Sequence, residues 1–244
     1  GPREGAGARS ASDDDAEAAR VALSEAARAL GPRADSRMGR GAAGELVRSD
    51  EGVRVRAGSV DVRSTARPAD VTLPLDAAGR VRLRDRGSGA EIAFALAGAN
   101  AARVGLVDGL AVYPERRAPK RGLTARSGID RRSESLAYAI ELGAGVAGLR
   151  LVDSTLEMLD ASGTPRLRLA PPYAIGSDGE PVRIRVNVSG CAVDRHAGDP
   201  RDRAPVAPGS RSCKVVLAWG GEGLSYPALI DPTWSTTGTM GVGR

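Results

Sequence analysis

Aromatic side chains are scarce in this sequence. They make up 3% of its 244 residues, as one phenylalanine, two tryptophans and four tyrosines. Proteins that bind single-stranded nucleic acid stack the bases on aromatic rings, so this composition argues against that class. Hydrophobic residues nevertheless make up 41% of the chain. We therefore expect a core built from valine, leucine, isoleucine and alanine.

Features of metal-binding and membrane-spanning proteins are also missing. The chain has one histidine and two cysteines without C-x-x-C spacing, which is a poor basis for a metal site. No apolar run reaches the roughly 18 residues that a membrane span needs. The first residues of this sequence do not have the charged and apolar pattern of a secretory signal peptide, although an export signal upstream of them is compatible with the start at Gly1–Pro2. We expect no metal, no cofactor and no membrane span.

The formal net charge is +5, yet the basic residues are almost all arginines that occur singly along the chain. In Val53–Arg56 and Val81–Arg84 they alternate with aliphatic residues. A period of two is typical of a β-strand with one face in solvent. The charge pattern therefore predicts a solvated sheet face and no nucleic-acid partner.

A single helix is predicted near the start of the chain. Residues 1–12 are small and polar and are expected to form a disordered tail. Ser12 and the acidic turn after it predict a helix over residues 13–31, which Gly31 and Pro32 should end. Its apolar face is thin. That face consists of Ala16, Ala19, Leu23, Ala27 and Leu30.

From about Glu45 onward, short alternating runs are separated by turns that combine aspartate with glycine. These turns are Asp76–Gly79, Asp85–Gly89 and Asp160–Gly163, and Val182–Val188 is the most regular strand. Aspartate and glycine suit tight turns between antiparallel strands. The predicted fold class is mostly β, as an antiparallel β-sandwich or two sandwich-like lobes, with one N-terminal α-helix.

The strand pattern divides into two parts. We predict a first β lobe at residues 45–130 and a second at residues 131–234. Residues 235–244 are expected to be a linker.

The two cysteines, Cys191 and Cys213, flank a segment rich in proline, aspartate and arginine that is expected to be an irregular loop. This arrangement favours a disulfide in an oxidising compartment over two unrelated buried thiols. Closing a loop of this size stabilises a fold by about 3 kcal/mol. His196 lies in the loop between Asp194 and Asp199, but no nucleophile accompanies it, so we interpret it as a surface histidine.

A glycine-rich loop offers an alternative function. Gly143, Gly145 and Gly148 form a G-x-G-x-x-G motif after an apolar run, as in a dinucleotide-binding turn. Helical spacing of the aliphatic residues that follow is compatible with this motif. However, the next strand ends at Ala170–Pro172 without the acidic residue that would bind a ribose. A small-residue loop between strands is the commoner cause of such a motif.

The most distinctive pattern, which we name the closing signature, lies near the end of the sequence. It consists of Tyr226, Pro227, Asp231, Pro232 and Trp234. It resembles the end of an N-terminal β-rich module in secreted bacterial proteins of a myxobacterial kind, where the module precedes kelch-type, Rhs-type or other repeats. We expect the two prolines to limit the last strand, with Leu229 and Ile230 as its buried pair, and Trp234 to cover the exit of the domain.

The resemblance covers roughly residues 70–234 through the order of its strands and turns. The chain departs from the family at Arg131–Glu134, where a lysine-glutamate pair is usual. Ser235–Met240 is similar to the segment that leads into kelch-type blades. Residues 235–244 are therefore expected to link to a C-terminal repeat domain outside this sequence.

The resemblance implies a non-enzymatic extracytoplasmic module of a larger secreted or cell-surface protein, since the family brings no catalytic residues. Such a module would serve as a stalk, in adhesion or as an assembly platform. Its partners would be other protein chains or its own C-terminal repeat domain. The alternatives are an NAD(P)-binding enzyme that uses the Gly143–Gly148 loop, or the carrier module of a polymorphic toxin.

Overall fold

The structure of the protein, a computed structural model, describes residues 11–38, 44–57, 69–114, 134–220 and 223–237. Within these ranges one helix, α1 (Ala11–Met38), precedes the strands. The strands of the first half are β1 (Gly44–Ser49), β2 (Gly52–Ala57), β3 (Ala69–Leu73), β4 (Val81–Asp85), β5 (Glu91–Leu96), β6 (Gly105–Val107) and β7 (Leu110–Val112).

The remaining strands follow in the second half of the chain. They are β8 (Ser135–Leu142), β9 (Gly148–Val152), β10 (Thr155–Leu159), β11 (Pro165–Leu169), β12 (Tyr173–Ile175), β13 (Pro181–Arg183), β14 (Arg185–Ser189), β15 (Ser212–Ala218), β16 (Leu229–Asp231) and β17 (Trp234–Thr236). A short 3-10 helix covers Pro200–Asp202.

The described strands form four sheets. The large sheet has eight antiparallel strands in the order β1-β2-β3-β4-β5-β8-β15-β14. A second sheet has the order β17-β11-β10-β9, a third the order β13-β12-β16, and β6 pairs with β7. Aliphatic residues from the first three of these sheets belong to one buried cluster. The mostly β fold with one N-terminal helix is thus confirmed, and the layers pack as in a sandwich.

The large sheet joins the two predicted lobes. Strand β5 pairs with β8 through five residue pairs, from Ile92 with Leu142 to Leu96 with Tyr138. The predicted boundary at residue 130 therefore does not separate two sheets. Sequence periodicity could not show this, because a long connection separates the two strands.

Helix α1 begins and ends outside its predicted limits. It starts at Ala11, within the predicted tail, and continues to Met38, so the prediction that Gly31 and Pro32 end it is wrong. A proline removes only one main-chain hydrogen bond from a helix, and the residues around it can keep theirs. Within the described residues, no helix is long and apolar enough to cross a membrane.

The predicted apolar face of α1 packs on the β6–β7 hairpin. Ala19 is fully buried and clusters with Val107 and Val112. Gly105 of β6 makes this close approach possible, because a Cβ atom there would overlap with the carbonyl of Asp15. The Asp15 carboxylate in turn lies 3.3 Å from the guanidinium of Arg103.

The aspartate-glycine turns lie between paired antiparallel strands as predicted, joining β3 to β4, β4 to β5, and β10 to β11. One strand prediction is wrong. The run Val182–Val188 is split at Ile184 into β13 and β14, which belong to different sheets. Ile184 is buried and its N–H bonds to the carbonyl of Pro172, so the chain changes sheets there.

Candidate binding surface

Tyr226, the first residue of the closing signature, fastens this part of the chain to the core. The indole N–H of Trp219, a fully buried side chain, donates to the hydroxyl of Tyr226 at 2.9 Å. The carbonyl of Tyr226 accepts from the hydroxyl of Ser177. Pro227 follows Tyr226 through a cis peptide bond. Tyr226 thus makes contacts inside the fold through both its side chain and its main chain.

Strand β16 lies between the two prolines of the signature. It covers Leu229–Asp231 and pairs with β12. The hydroxyl of Tyr173 on β12 donates to the carboxylate of Asp231. Ile230 is buried and Leu229 only half-buried, because consecutive side chains of a strand point to opposite faces.

Trp234 stands in a further strand, β17, which pairs with β11, so β16 is not the last strand and residues 235–236 are not a linker. Its ring stacks on that of Phe94, with centroids 4.4 Å apart. Tyr138 meets both rings edge to face, and burial raises its pKa to about 12. We call Phe94, Tyr138 and Trp234 the aromatic cluster. It joins the large sheet to the second sheet, so Trp234 packs between layers rather than covering an exit.

The cysteines are placed to close their loop. Cys191 and Cys213 form a disulfide with 5.5 Å between their Cα atoms. The enclosed segment, residues 192–212, is called the cysteine loop. It is irregular as expected, but Asp194 forms a parallel bridge with Arg150 at the edge of β9. The loop therefore covers an edge strand that would otherwise offer main-chain groups to another chain.

A buried ion cluster holds the cysteine loop in place. Arg150 donates to the carboxylate of Glu157 at 2.6 Å and to the carbonyls of His196, Ala197 and Gly198. Arg168 reaches the other oxygen of Glu157 at 3.4 Å. Because Glu157 is buried, its charge needs these two arginines.

The ring and the main-chain N–H of His196 form hydrogen bonds within the cysteine loop. Its ring Nδ1 atom accepts from the N–H of Gly198 at 2.9 Å, and its main-chain N–H donates to the carboxylate of Asp194. The hydrogen bond from the main-chain N–H of His196 holds the pKa of Asp194 below its usual range, and the hydrogen bond from Arg203 adds to this effect. Asp199 is paired with Arg201, which lowers the pKa of Asp199 to about 2. Both carboxylates are thus engaged with partners other than the imidazole.

The glycine motif does not have the geometry of a dinucleotide-binding turn. Such a turn opens a helix, whereas Gly148 begins strand β9 and the following residues form the β9–β10 hairpin. The helical spacing of its aliphatic residues arises because Asp153 and Ser154, both at positive φ, turn the chain back. Gly143, Gly145 and Gly148 instead let the chain pass close to Glu91, Ala90 and Pro205.

The arginines lie on the outer face of the large sheet. In register, Arg54 of β2 is opposite Thr72 of β3, and Thr72 is opposite Arg82 of β4. Arg84 lies two residues further along β4 on the same exposed face, while Leu83 between them is buried. The alternation in the sequence thus produces a solvated sheet face, as predicted.

This face contains a groove of about 1240 Å³. We call it the arginine groove. Its basic residues are Arg54, Arg80, Arg82, Arg84 and Arg86, and its acidic residues are Glu51, Asp70 and Glu91. Their formal charges leave an excess of two positive charges. Alternation in the sequence predicts the exposed face but not the groove, because the groove depends on how β2 and β3 part.

The described residues contain no group of His, Cys, Asp and Glu side chains that could hold a metal ion. Comparison of the chain with protein-family models, with curated proteins and with solved structures finds no match. The arginine groove is therefore selected as the candidate site on its geometry and charge alone.

Proposed function

We propose that this chain is a non-enzymatic structural and binding module of a larger secreted or cell-surface protein. The observation that carries the proposal is that the most distinctive residues of the sequence make structural contacts within the fold. Tyr226, Asp231 and Trp234 of the closing signature and the two cysteines make contacts that join one part of the fold to another. They therefore stabilise a platform.

The disulfide supports an extracytoplasmic location. Disulfides persist in oxidising compartments and are rare where thiols are kept reduced. The resemblance of the closing signature to that of secreted bacterial repeat proteins favours the same location. In this function the module holds its neighbours at a fixed distance and presents the arginine groove to a partner.

The proposal is tested by the state of the two cysteines in the protein as its own cells make it. Mass spectrometry of protein trapped with an alkylating agent, without reductant, should yield a peptide pair joined through Cys191 and Cys213. The same sample after reduction provides the control, with both cysteines alkylated. Two alkylated cysteines before reduction would count decisively against an extracytoplasmic module.

A further inference from the structure

The arginine groove includes a place where two neighbouring strands part. Strands β2 and β3 are five to six residues long, yet they pair only at Val53 with Leu73 and at Arg54 with Thr72. Beyond these pairs, Val55 and Val71 both line the groove. Among the described residues, the ladder between the two strands therefore ends at the groove. Strand edges without ladder partners offer main-chain donors and acceptors to an added strand.

The arginines beside this opening differ in whether they have an ion-pair partner. Arg86 is paired with Asp70 at 2.6 Å, Arg80 with Glu141 at 2.9 Å, and Arg54 with Glu51 at 2.6 Å. Arg82 and Arg84 have no ion-pair partner among the described residues, although Asp70 and Glu91 lie opposite Arg84 in register. Two exposed guanidinium groups thus remain available on one face of β4.

Their spacing matches that of an extended peptide. Arg82 and Arg84 are two residues apart on one strand, which places their Cα atoms about 7 Å apart. Alternate side chains of a second extended chain have the same repeat. A guanidinium group binds a carboxylate through two parallel hydrogen bonds, which makes arginine well suited to this pairing.

We propose that the arginine groove binds an extended acidic peptide segment of a partner protein, with carboxylates at alternate positions facing Arg82 and Arg84. The main chain of the peptide lies along the strand edges at Val55 and Val71. The small apolar side chains between the carboxylates point to the opposite side of the sheet, where Val71 of β3 lies beside Leu83 of β4. This is strand addition, in which main-chain bonds give affinity and alternate side chains give specificity.

The composition of the groove favours a peptide over other polyanions. Its described lining contains no aromatic side chain. Nucleic-acid bases would therefore have nothing to stack on. A charged polysaccharide would satisfy the arginines but would leave the strand edges without partners.

The proposal rests on the proposed function and names the class of partner that the module holds. The probe is a fluorescent peptide of alternating glutamate and valine, about ten residues long, which is the upper length of ordinary strands. We expect saturable binding by fluorescence anisotropy, and binding about tenfold weaker or more when Arg82→Ala and Arg84→Ala are combined, the loss of about 1.4 kcal/mol. Equal binding by this double variant would overturn the proposal.

Three further measurements separate the peptide from a general polyanion. The pair Arg183→Ala and Arg185→Ala, on exposed residues of β13 and β14 outside the groove, is the matched control and should bind as the unchanged protein does. A peptide N-methylated at alternate residues keeps its carboxylates and should bind more weakly, and equal binding would refute strand addition. Polygalacturonate that binds the groove more tightly than the peptide would also refute the proposal.

A charge exchange completes the test. With Arg82→Glu and Arg84→Glu, the protein should bind a lysine-valine peptide and lose the glutamate-valine peptide. Binding of neither peptide by this folded variant would contradict pairing at these positions. The state of the cysteines is measured separately, so failure of peptide binding leaves the module proposal intact, and free thiols in the cell refute the module alone.

Discussion

The two halves of the large sheet are constructed in different ways. The disulfide joins β15 to the loop that follows β14, and the aromatic cluster packs β8 against the second sheet. Strands β2 to β4 have no disulfide, pair incompletely between β2 and β3, and keep Arg82 and Arg84 exposed. The disulfide and the aromatic cluster thus stabilise the half with β8, β15 and β14, and the exposed arginines lie in the half with β2 to β4.

The largest effect on the free energy of unfolding is expected from disruption of the aromatic cluster. Trp234→Ala removes the ring that stacks on Phe94 and should lower the free energy of unfolding by about 3 to 4 kcal/mol. Chemical denaturation followed by circular dichroism measures it. Trp234→Phe is the control and should cost under about 1.5 kcal/mol, because it keeps a stacking ring. A similar small cost for both variants would mean that the cluster does not join the layers.

Removal of the disulfide comes next. Combining Cys191→Ala with Cys213→Ala should lower the free energy of unfolding by about 3 kcal/mol, because the unfolded chain gains freedom. Amide hydrogen exchange should rise in the cysteine loop and remain unchanged in β3 and β4. Reducing the unchanged protein should reproduce both effects. Faster exchange throughout β3 and β4 would show that the two halves are not independent.

A smaller effect is expected at the β10–β11 turn. The Asp160 carboxylate accepts hydrogen bonds from Ser162, Thr164 and Arg166. Burial acts to raise the pKa of Asp160, but the bonds from Ser162 and Arg166 outweigh it and lower that pKa. Asp160→Asn should therefore cost about 1 to 2 kcal/mol at neutral pH.

The pH dependence follows from the direction of that shift. A carboxylate whose pKa is lowered by folding stabilises the fold above its unfolded pKa of about 4, and this contribution is lost as the pH falls through the folded value. The difference between the protein and Asp160→Asn should thus be constant above about pH 5 and shrink below pH 4. Thermal unfolding across this range measures it.

The smallest effect is expected in the arginine groove. Combining Arg82→Ala with Arg84→Ala should change the free energy of unfolding by less than about 0.5 kcal/mol, since both side chains are exposed and unpaired among the described residues. Denaturation measured as for Trp234→Ala provides the comparison. A loss above about 1.5 kcal/mol would mean that these arginines stabilise the fold, and the division between the halves would fail.

The hairpins could be predicted from the sequence because their turns are determined locally. At Asp76 the carboxylate accepts from the N–H groups of Ala78 and Gly79. Asp85 accepts from Ser88, and Asp160 from Ser162 and Thr164, in the same manner. Such bonds connect residues only a few positions apart, so residue type and spacing are sufficient to predict them.

Features that depend on distant residues could not be predicted in this way. No local pattern indicates that β5 pairs with β8, or that Trp234 meets Phe94. The split at Ile184 was missed for a related reason, because alternation continues through it while the chain changes sheets. The arginine groove was found only as a solvated face, since its depth depends on how β2 and β3 part.

The contact of Trp234 with Phe94 also affects the order of events during synthesis. Phe94 and Tyr138 leave the ribosome well before β17, so for most of that time their rings lack the surface that finally covers them. Contacts between residues so far apart in the chain form slowly. Partly formed β-sheets with exposed apolar surface are prone to associate with one another. We therefore expect the rings of Phe94 and Tyr138 to gain their cover only when β17 has been synthesised.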